Sequence, residues 1–278
     1  MGLIDDIKNQ AVKSGAKIQD SESAKLEKIL NKAFYLEKKI DEEVKFLKQV
    51  MTRGQETQER KGLHASAIIV SDEKFCLRQQ VLSMLYKMDQ GEQVSIGLKR
   101  IFEEGNAIHE KWQRLFIRAG YSKAEDLDMT QFQEEYELSY TPDIICRIPE
   151  FYEGEMVGEI KSVNTRQFWK MVKEGTRHKS GEKQCQLYMH FRGLKKGFVL
   201  CEDKNTQEFL VFVLDYDYNV VKPYVKRLEK IKDKKRKVLE EKRMVLRKDK
   251  CNSPNCKMAE SCQMRDACYN VGKGRIKL

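Results

Sequence analysis

No apolar run in this sequence of 278 residues approaches the roughly 18–20 residues that a membrane-spanning helix needs, so no such span is expected. The first residues, Met1-Gly2-Leu3-Ile4-Asp5-Asp6, carry an early acidic pair and no long apolar stretch, which argues against a secretory signal. Asp6 stands where N-myristoylation at Gly2 would want Ser or Thr. There is no internal repeat, no low-complexity tract beyond one lysine-rich stretch, and no motif that reads base edges. In the absence of an export signal, the eight cysteines argue against a disulfide framework.

What is present is charge, unevenly placed. Charged residues make up 35 % of the chain, and the net charge is +10. Residues 222–250 hold 14 Lys/Arg against 5 Asp/Glu, and residues 251–278 add a further +3, so residues 1–221 are close to neutral. A basic segment on a near-neutral body is the electrostatic footprint of a partner that is a polyanion, and nucleic acid is the expected one. The 40 % hydrophobic content is enough for a sizeable core.

Apolar residues recur every three or four positions through residues 22–52, predicting one long N-terminal helix that either forms a coiled coil or packs along the body. Residues 1–20 read as loosely ordered and 54–58 as a polar connector. Ser71 is the expected N-cap of a second helix reaching residue 86, and a third covers 94–119, closed by Gly120. The period then changes. Residues 136–148 and 155–163 read as strands and 168–173 and 181–191 as helices. Residues 197–202 and 208–214 read as a hairpin turning at Asp203-Lys204-Asn205-Thr206. Helical periodicity returns over 217–248. This order predicts an α/β (α+β) fold, with a central mixed sheet flanked by helices. The expected division is a helical extension over 1–60, a core over 61–250 that includes the basic helix 217–248, and a cysteine-rich segment over 251–278.

The chemistry concentrates in Thr141-Pro142-Asp143 and Glu159-Ile160-Lys161. Hydrolysis of a phosphodiester calls for a divalent cation that polarises the phosphate and acidifies a water, and Mg2+ or Mn2+ takes oxygen ligands. Asp143 and Glu159 on neighbouring strands could share one ion. Lys161, two residues beyond Glu159, lies on the same strand face, where its ammonium can orient the water or offset charge on the phosphate. The Ile160 carbonyl is a further candidate ligand. Met156, Val157 and Val163 make the strand apolar, so charges on that face need a function.

On these residues the chain resembles the PD-(D/E)xK nuclease superfamily, in its RecB-like branch of CRISPR-associated and phage-type exonucleases that carry an iron–sulfur cluster. The resemblance spans roughly residues 71–268. Gly105-Asn106-Ala107-Ile108-His109 matches the helical histidine motif, which implies His109 as a metal ligand. Asp143 matches the first acid, and Glu159 with Lys161 matches the Glu-x-Lys pair. Gln184-Cys185-Gln186-Leu187-Tyr188 matches a Gln-x-x-x-Tyr motif. There Gln184 and Tyr188 would line the site one helical turn apart, with Gln186 an alternative to Gln184 and core packing an alternative role for Tyr188. The resemblance implies a PD-(D/E)xK core and a metal-dependent DNA exonuclease, using Mg2+ or Mn2+ and acting on single-stranded ends. Recombination, repair and phage DNA processing are its expected settings. A helicase or recombinase would be a fitting partner, and the location would be the cytoplasm of a bacterium or phage-infected cell.

The family takes one cysteine before the core and three after it to hold a [4Fe–4S] cluster, which implies Cys76 with Cys251, Cys256 and Cys262. Cys268 is an alternative ligand, since one late cysteine is in excess. The late gaps of four, five and five residues depart from the family's usual Cys-x-x-Cys-x5-Cys. A local zinc site of the four late cysteines is the rival, and a non-catalytic nucleic-acid-binding protein built around such a zinc site is the alternative function. Cys146, Cys185 and Cys201 sit in apolar contexts and read as buried thiols. For phosphate contacts the candidates are Lys226, Arg227, Lys230 and Lys234 on the basic helix and Lys204 in the hairpin turn. Arg166 and Trp169 could stack on an unpaired base, with core packing an equal alternative for Phe168 and Trp169.

Overall fold

The N-terminal helical pattern forms α1 (Ser21–Ala33) and α2 (Ile40–Arg53) in the computed structural model, which describes residues 20–34, 40–53, 62–86, 95–248, 250–271 and 273. The expected loose order of residues 1–19 and the connector 54–58 lie outside the described residues. The Asp20 side chain accepts from the Ser23 N–H at 2.7 Å and so caps α1. Leu26, Leu30, Ala33 and Phe46 are buried in the main core, so these helices pack on the body and form no coiled coil.

The chain divides into two units along lines that the sequence did not suggest. One comprises Met1–Gln58, Ser95–Thr130 and Thr141–Tyr218, and the other Glu59–Val94, Gln131–Tyr140 and Asn219–Leu278. The first unit therefore includes α1 and α2 together with the candidate catalytic residues.

In chain order the structure continues with β1 (Leu63–His64), α3 (Ala65–Ile68), α4 (Leu77–Leu85) and α5 (Ile96–Arg118). Next come β2 (Gln131–Gln133), β3 (Leu138–Tyr140), β4 (Ile144–Ile148), β5 (Tyr152–Val163), α6 (Thr165–Glu174), α7 (Lys179–Arg192), β6 (Lys196–Asp203) and β7 (Phe209–Asp215). The chain closes with α8 (Tyr218–Glu241), α9 (Lys257–Glu260) and α10 (Arg265–Asn270). The fold is mixed α/β, as expected. No helix among the described residues is long and apolar enough to cross a membrane.

The first unit is built on a mixed sheet of order β4-β5-β6-β7. β4 runs antiparallel to β5, β5 parallel to β6, and β6 antiparallel to β7. The parallel pair needs a crossover, which α6 and α7 supply. The predicted hairpin is β6–β7; Asp203 Oδ1 accepts from Thr165 Oγ1 and the Asn205 N–H, and Oδ2 from Thr206 Oγ1. Phe116 of α5 stacks on Phe198 of β6 at 5.7 Å, and Trp112 meets Phe209 edge-on at 4.7 Å. Fully burying side chains of this size contributes roughly 1.5–3 kcal/mol each. Buried charges are paired: Glu202 accepts from Lys111 Nζ at 2.6 Å and Trp112 Nε1 at 2.5 Å, and Glu43 accepts from Arg114 and Arg118. Leu138–Tyr140 and Ile144–Ile148 form separate strands of different sheets, where the sequence predicted one strand over 136–148.

The second unit carries a small sheet of order β1-β3-β2, with β1 parallel and β2 antiparallel to β3. The N-cap of α4 is Cys76 and not Ser71. α8 buries Val221, Val225, Leu228, Ile231 and Val238 on one face and ends at Glu241, short of the predicted residue 248, where Lys242 takes a φ of +49°. Arg227, expected at the surface as a phosphate contact, is buried instead. Its guanidinium donates to the carbonyls of Ile68 and Val70 and pairs with Asp72, so it ties α8 to the segment after α3. A pattern of charge along a helix carries no record of which cations turn inward.

Candidate active site

β5 alternates its side chains. Ile160 is buried in the core cluster, and Glu159 and Lys161 share the opposite face. Lys161 Nζ donates to Glu159 Oε1 at 2.5 Å. Glu159 is 2 % exposed, and its other oxygen, Oε2, is buried with no hydrogen-bond partner among the described residues. Asp143 lies just before β4, and its Oδ2 accepts from the Ile160 N–H at 2.7 Å. This bond places the first acid beside the Glu-x-Lys strand. α5 supplies His109, whose Nδ1 lies 3.3 Å from Asp143 Oδ1, and Gln113 one turn on, whose Nε2 donates to the Asp143 carbonyl at 2.8 Å. Gln113 is 1 % exposed and was not singled out from the sequence. Its signal was there, since it follows His109 by four residues on a helix.

α7 lies over β5 and β6. Gln184 Nε2 donates to the Tyr188 hydroxyl at 3.3 Å, and Tyr188 is buried. Gln186, the alternative to Gln184, bonds instead to the Asp215 carbonyl and the Asp217 N–H, so it is structural. His178 caps α7, its Nδ1 accepting from the Gly181 N–H at 3.2 Å. A Cβ on Gly181 would stand 2.9 Å from Val199 Cγ1 and 3.3 Å from Lys161 Cγ, so only a glycine lets the helix approach the lysine stem this closely.

The electrostatics follow from burial. Burial pushes Glu159 up to about 8, Asp143 adds to this, and Lys161 and His109 oppose it. Burial disfavours the Lys161 ammonium, but Glu159 and Asp143 outweigh it and raise its pKa above the ordinary lysine value. Lys161 is therefore a cation throughout the neutral range. At His109 burial opposes the charged form and Asp143 outweighs it, so its pKa lies above the ordinary histidine value. Burial and then the charge of Glu159 hold the Tyr188 hydroxyl protonated.

No three His, Cys, Asp or Glu side chains among the described residues stand at ligating geometry around one point. The donor set nonetheless fits a hard divalent cation. Two carboxylates and an imidazole are adjacent, and a buried carboxylate oxygen without a partner is what such an ion would satisfy.

In the second unit, Cys76, Cys251 and Cys262 face both a small pocket and an adjoining open cleft; Cys268 lines only the pocket and Cys256 only the cleft. Cys76 thus lines the same cavities as the late cysteines, although no three of these thiols stand at ligating geometry among the described residues. Burial first, then Cys256 and the charges of Cys76 and Cys262, push Cys251 up to about 11. Cys146, Cys185 and Cys201 are buried, as predicted.

Of the candidate nucleic-acid contacts, Arg166, Lys226 and Lys230 are exposed. Trp169 is half-buried, its edge against Phe168, which is core. Lys234 is half-buried, and Lys204 is largely covered, 3.9 Å from Glu104.

No protein-family model matches the sequence, and no curated protein matches it. Among solved structures, LHK-Exo in complex with dAMP is similar at a TM-score of 0.48 and 14 % identity, over 65 % of this chain and 90 % of that one. The alkaline exonuclease LHK-Exo from Laribacter hongkongensis gives 0.46 and 13 %, over 66 % and 92 %. SSO0001 gives 0.40 and 11 %, over 66 % and 83 %. Likeness at this level carries no argument, and the chemistry must be read from the residues of this chain.

Proposed function

We propose that this protein is a metal-dependent deoxyribonuclease of the PD-(D/E)xK type, an exonuclease acting on single-stranded ends. The observation that carries this reading is the meeting of His109, Asp143, Glu159 and Lys161 in one unit, with the buried Glu159 Oε2 left without a hydrogen-bond partner among the described residues. His109, Asp143 and Glu159, with the Ile160 carbonyl, would hold Mg2+ or Mn2+, which when bound polarises the phosphate and lowers the pKa of a water. Lys161 is fixed by Glu159 and stays protonated, so it serves as a charge that stabilises the phosphate oxygens and not as a base. Gln184 and the neutral hydroxyl of Tyr188 would position the strand. Gln113 and the Ile160 N–H hold Asp143 in place. Cys76, Cys251 and Cys262, with Cys256 or Cys268, would carry a [4Fe–4S] cluster or zinc. A recombination, repair or phage DNA-processing role, alongside a helicase or recombinase, is the setting this chemistry fits.

The test is Mn2+-dependent digestion of end-labelled single-stranded DNA. Wild type should shorten it progressively, and Lys161→Ala should lose roughly 10²–10³-fold in rate. Equal rates would remove Lys161 from the chemistry. No cleavage by wild type, together with zinc in the purified protein, would favour the non-catalytic binding module.

A further inference from the structure

The second unit gathers cations around its cysteines. Lys74 from the stretch before α4, Lys248 and Lys250 from the stretch after α8, and Lys257 at the start of α9 line one open cleft of about 850 Å³. No Asp or Glu is among its described lining residues; the rest are thiols, amides, a serine and a methionine. Lys250 Nζ donates to the Asp72 carbonyl at 3.0 Å, and Lys248 sits 4.0 Å over the Tyr269 ring. Among the described residues none of the four pairs with a carboxylate. On α8, by contrast, Lys232 and Lys235 pair with Glu135 and Glu137, and Arg236 and Lys237 with Asp233. The helix that carries most of the basic sequence thus spends part of its charge internally, and the cleft does not.

Four like charges drawn from three parts of the chain repel one another, and a cleft lined by one sign concentrates counter-ions. The thiolates of a metal centre would answer part of that charge. The volume, however, lies within the roughly 300–1,000 Å³ of ligand pockets and is far more than thiolates around a metal occupy. We propose that this cleft binds the sugar–phosphate backbone of a nucleic-acid strand, with Lys74, Lys250 and Lys257 as the phosphate contacts. Only the choice of nucleic acid as the polyanion rests on the function proposed above.

The experiment is fluorescence titration of a labelled oligothymidylate in EDTA, where nothing is cleaved, over a series of salt concentrations. For single strands, log Kobs falls with log[salt] by roughly 0.7 per phosphate contacted. The triple variant Lys74→Gln, Lys250→Gln, Lys257→Gln should lower that slope by about 2, and the matching Lys→Arg triple should keep it. Bound iron and zinc and the thermal midpoint should match wild type. If the triple misfolds, exposed Lys257→Gln alone should lower the slope by about 0.7. An unchanged slope overturns the proposal, and an unchanged slope with lost metal reassigns the lysines to the metal centre. Inorganic phosphate competing as well as the oligonucleotide would also overturn it, by making the site one for small anions. A changed slope without Mn2+-dependent cleavage would leave this site standing and remove the nuclease; cleavage with an unchanged slope would do the reverse.

Discussion

At the scale of single residues, the candidate site rests on one atom, Glu159 Oε2. Its burial without a hydrogen-bond partner among the described residues predicts that a divalent cation stabilises the protein, since a ligand bound only by the folded state at 100 times its Kd adds about 2.7 kcal/mol. Scanning calorimetry should show Mg2+ or Mn2+ raising the midpoint of wild type but leaving Glu159→Gln and Asp143→Asn unmoved. A rise of the same size in all three would place the ion elsewhere. Gly181→Ala should push on the Lys161 stem and on Val199, at an overpacking cost of roughly 1–3 kcal/mol. We expect its cleavage rate to fall further than its stability explains, measured as kcat beside the thermal midpoint. His109, Asp143, Glu159 and Lys161 were legible because strand alternation and motif spacing fix which side chains share a face. Gln113 and Gly181 were not singled out: the i+4 spacing puts Gln113 on the face of His109 but does not show that it binds a backbone carbonyl, and Gly181 acts through the atom it lacks, which spacing does not encode.

At the scale of elements, α2 and α5 are joined by Glu43, 7 % exposed, between Arg114 and Arg118. The hydrogen bond from Arg118 holds Glu43 down to about 2, against the opposing effect of burial and with help from Arg114. A folded pKa below the unfolded 4.5 means that this contribution is present above pH 4.5 and is lost as pH falls through about 2. Glu43→Gln should therefore cost roughly 1.5–3 kcal/mol at pH 7 and almost nothing near pH 2, as denaturant titrations at both values would show. A constant deficit across that range would mean that packing, not charge, is what the substitution removes. Helix and strand types were legible from period alone, including the β6–β7 hairpin. Arg227 was not, because its place depends on the carbonyls of Ile68 and Val70, which are distant in sequence and gather only on folding.

At the scale of the whole molecule, the chain alternates between its two units, each made of three segments. Local pattern cannot show this, because segments that belong together are separated by segments that do not. Truncation after Tyr218 would leave the second unit only Glu59–Val94 and Gln131–Tyr140, without α8 or the late cysteines. Such a chain should expose Leu82 and bind a hydrophobic dye, where the full chain does not. Cys76→Ser should lower bound iron or zinc as much as Cys262→Ser does, and metal content unchanged in Cys76→Ser would confine the centre to the late cysteines.

The excursion of Gln131–Tyr140 leaves and rejoins the first unit at one place, where the Thr130 and Thr141 hydroxyls meet at 3.0 Å. Two residues past that clasp stands Asp143. The detour is thus tied off at its neck, like a loop of thread under a knot, and the first acid hangs from the knot and not from the loop. Lengthening or replacing the tip of that loop is open to variation without moving the carboxylate, whereas loosening either threonine is not.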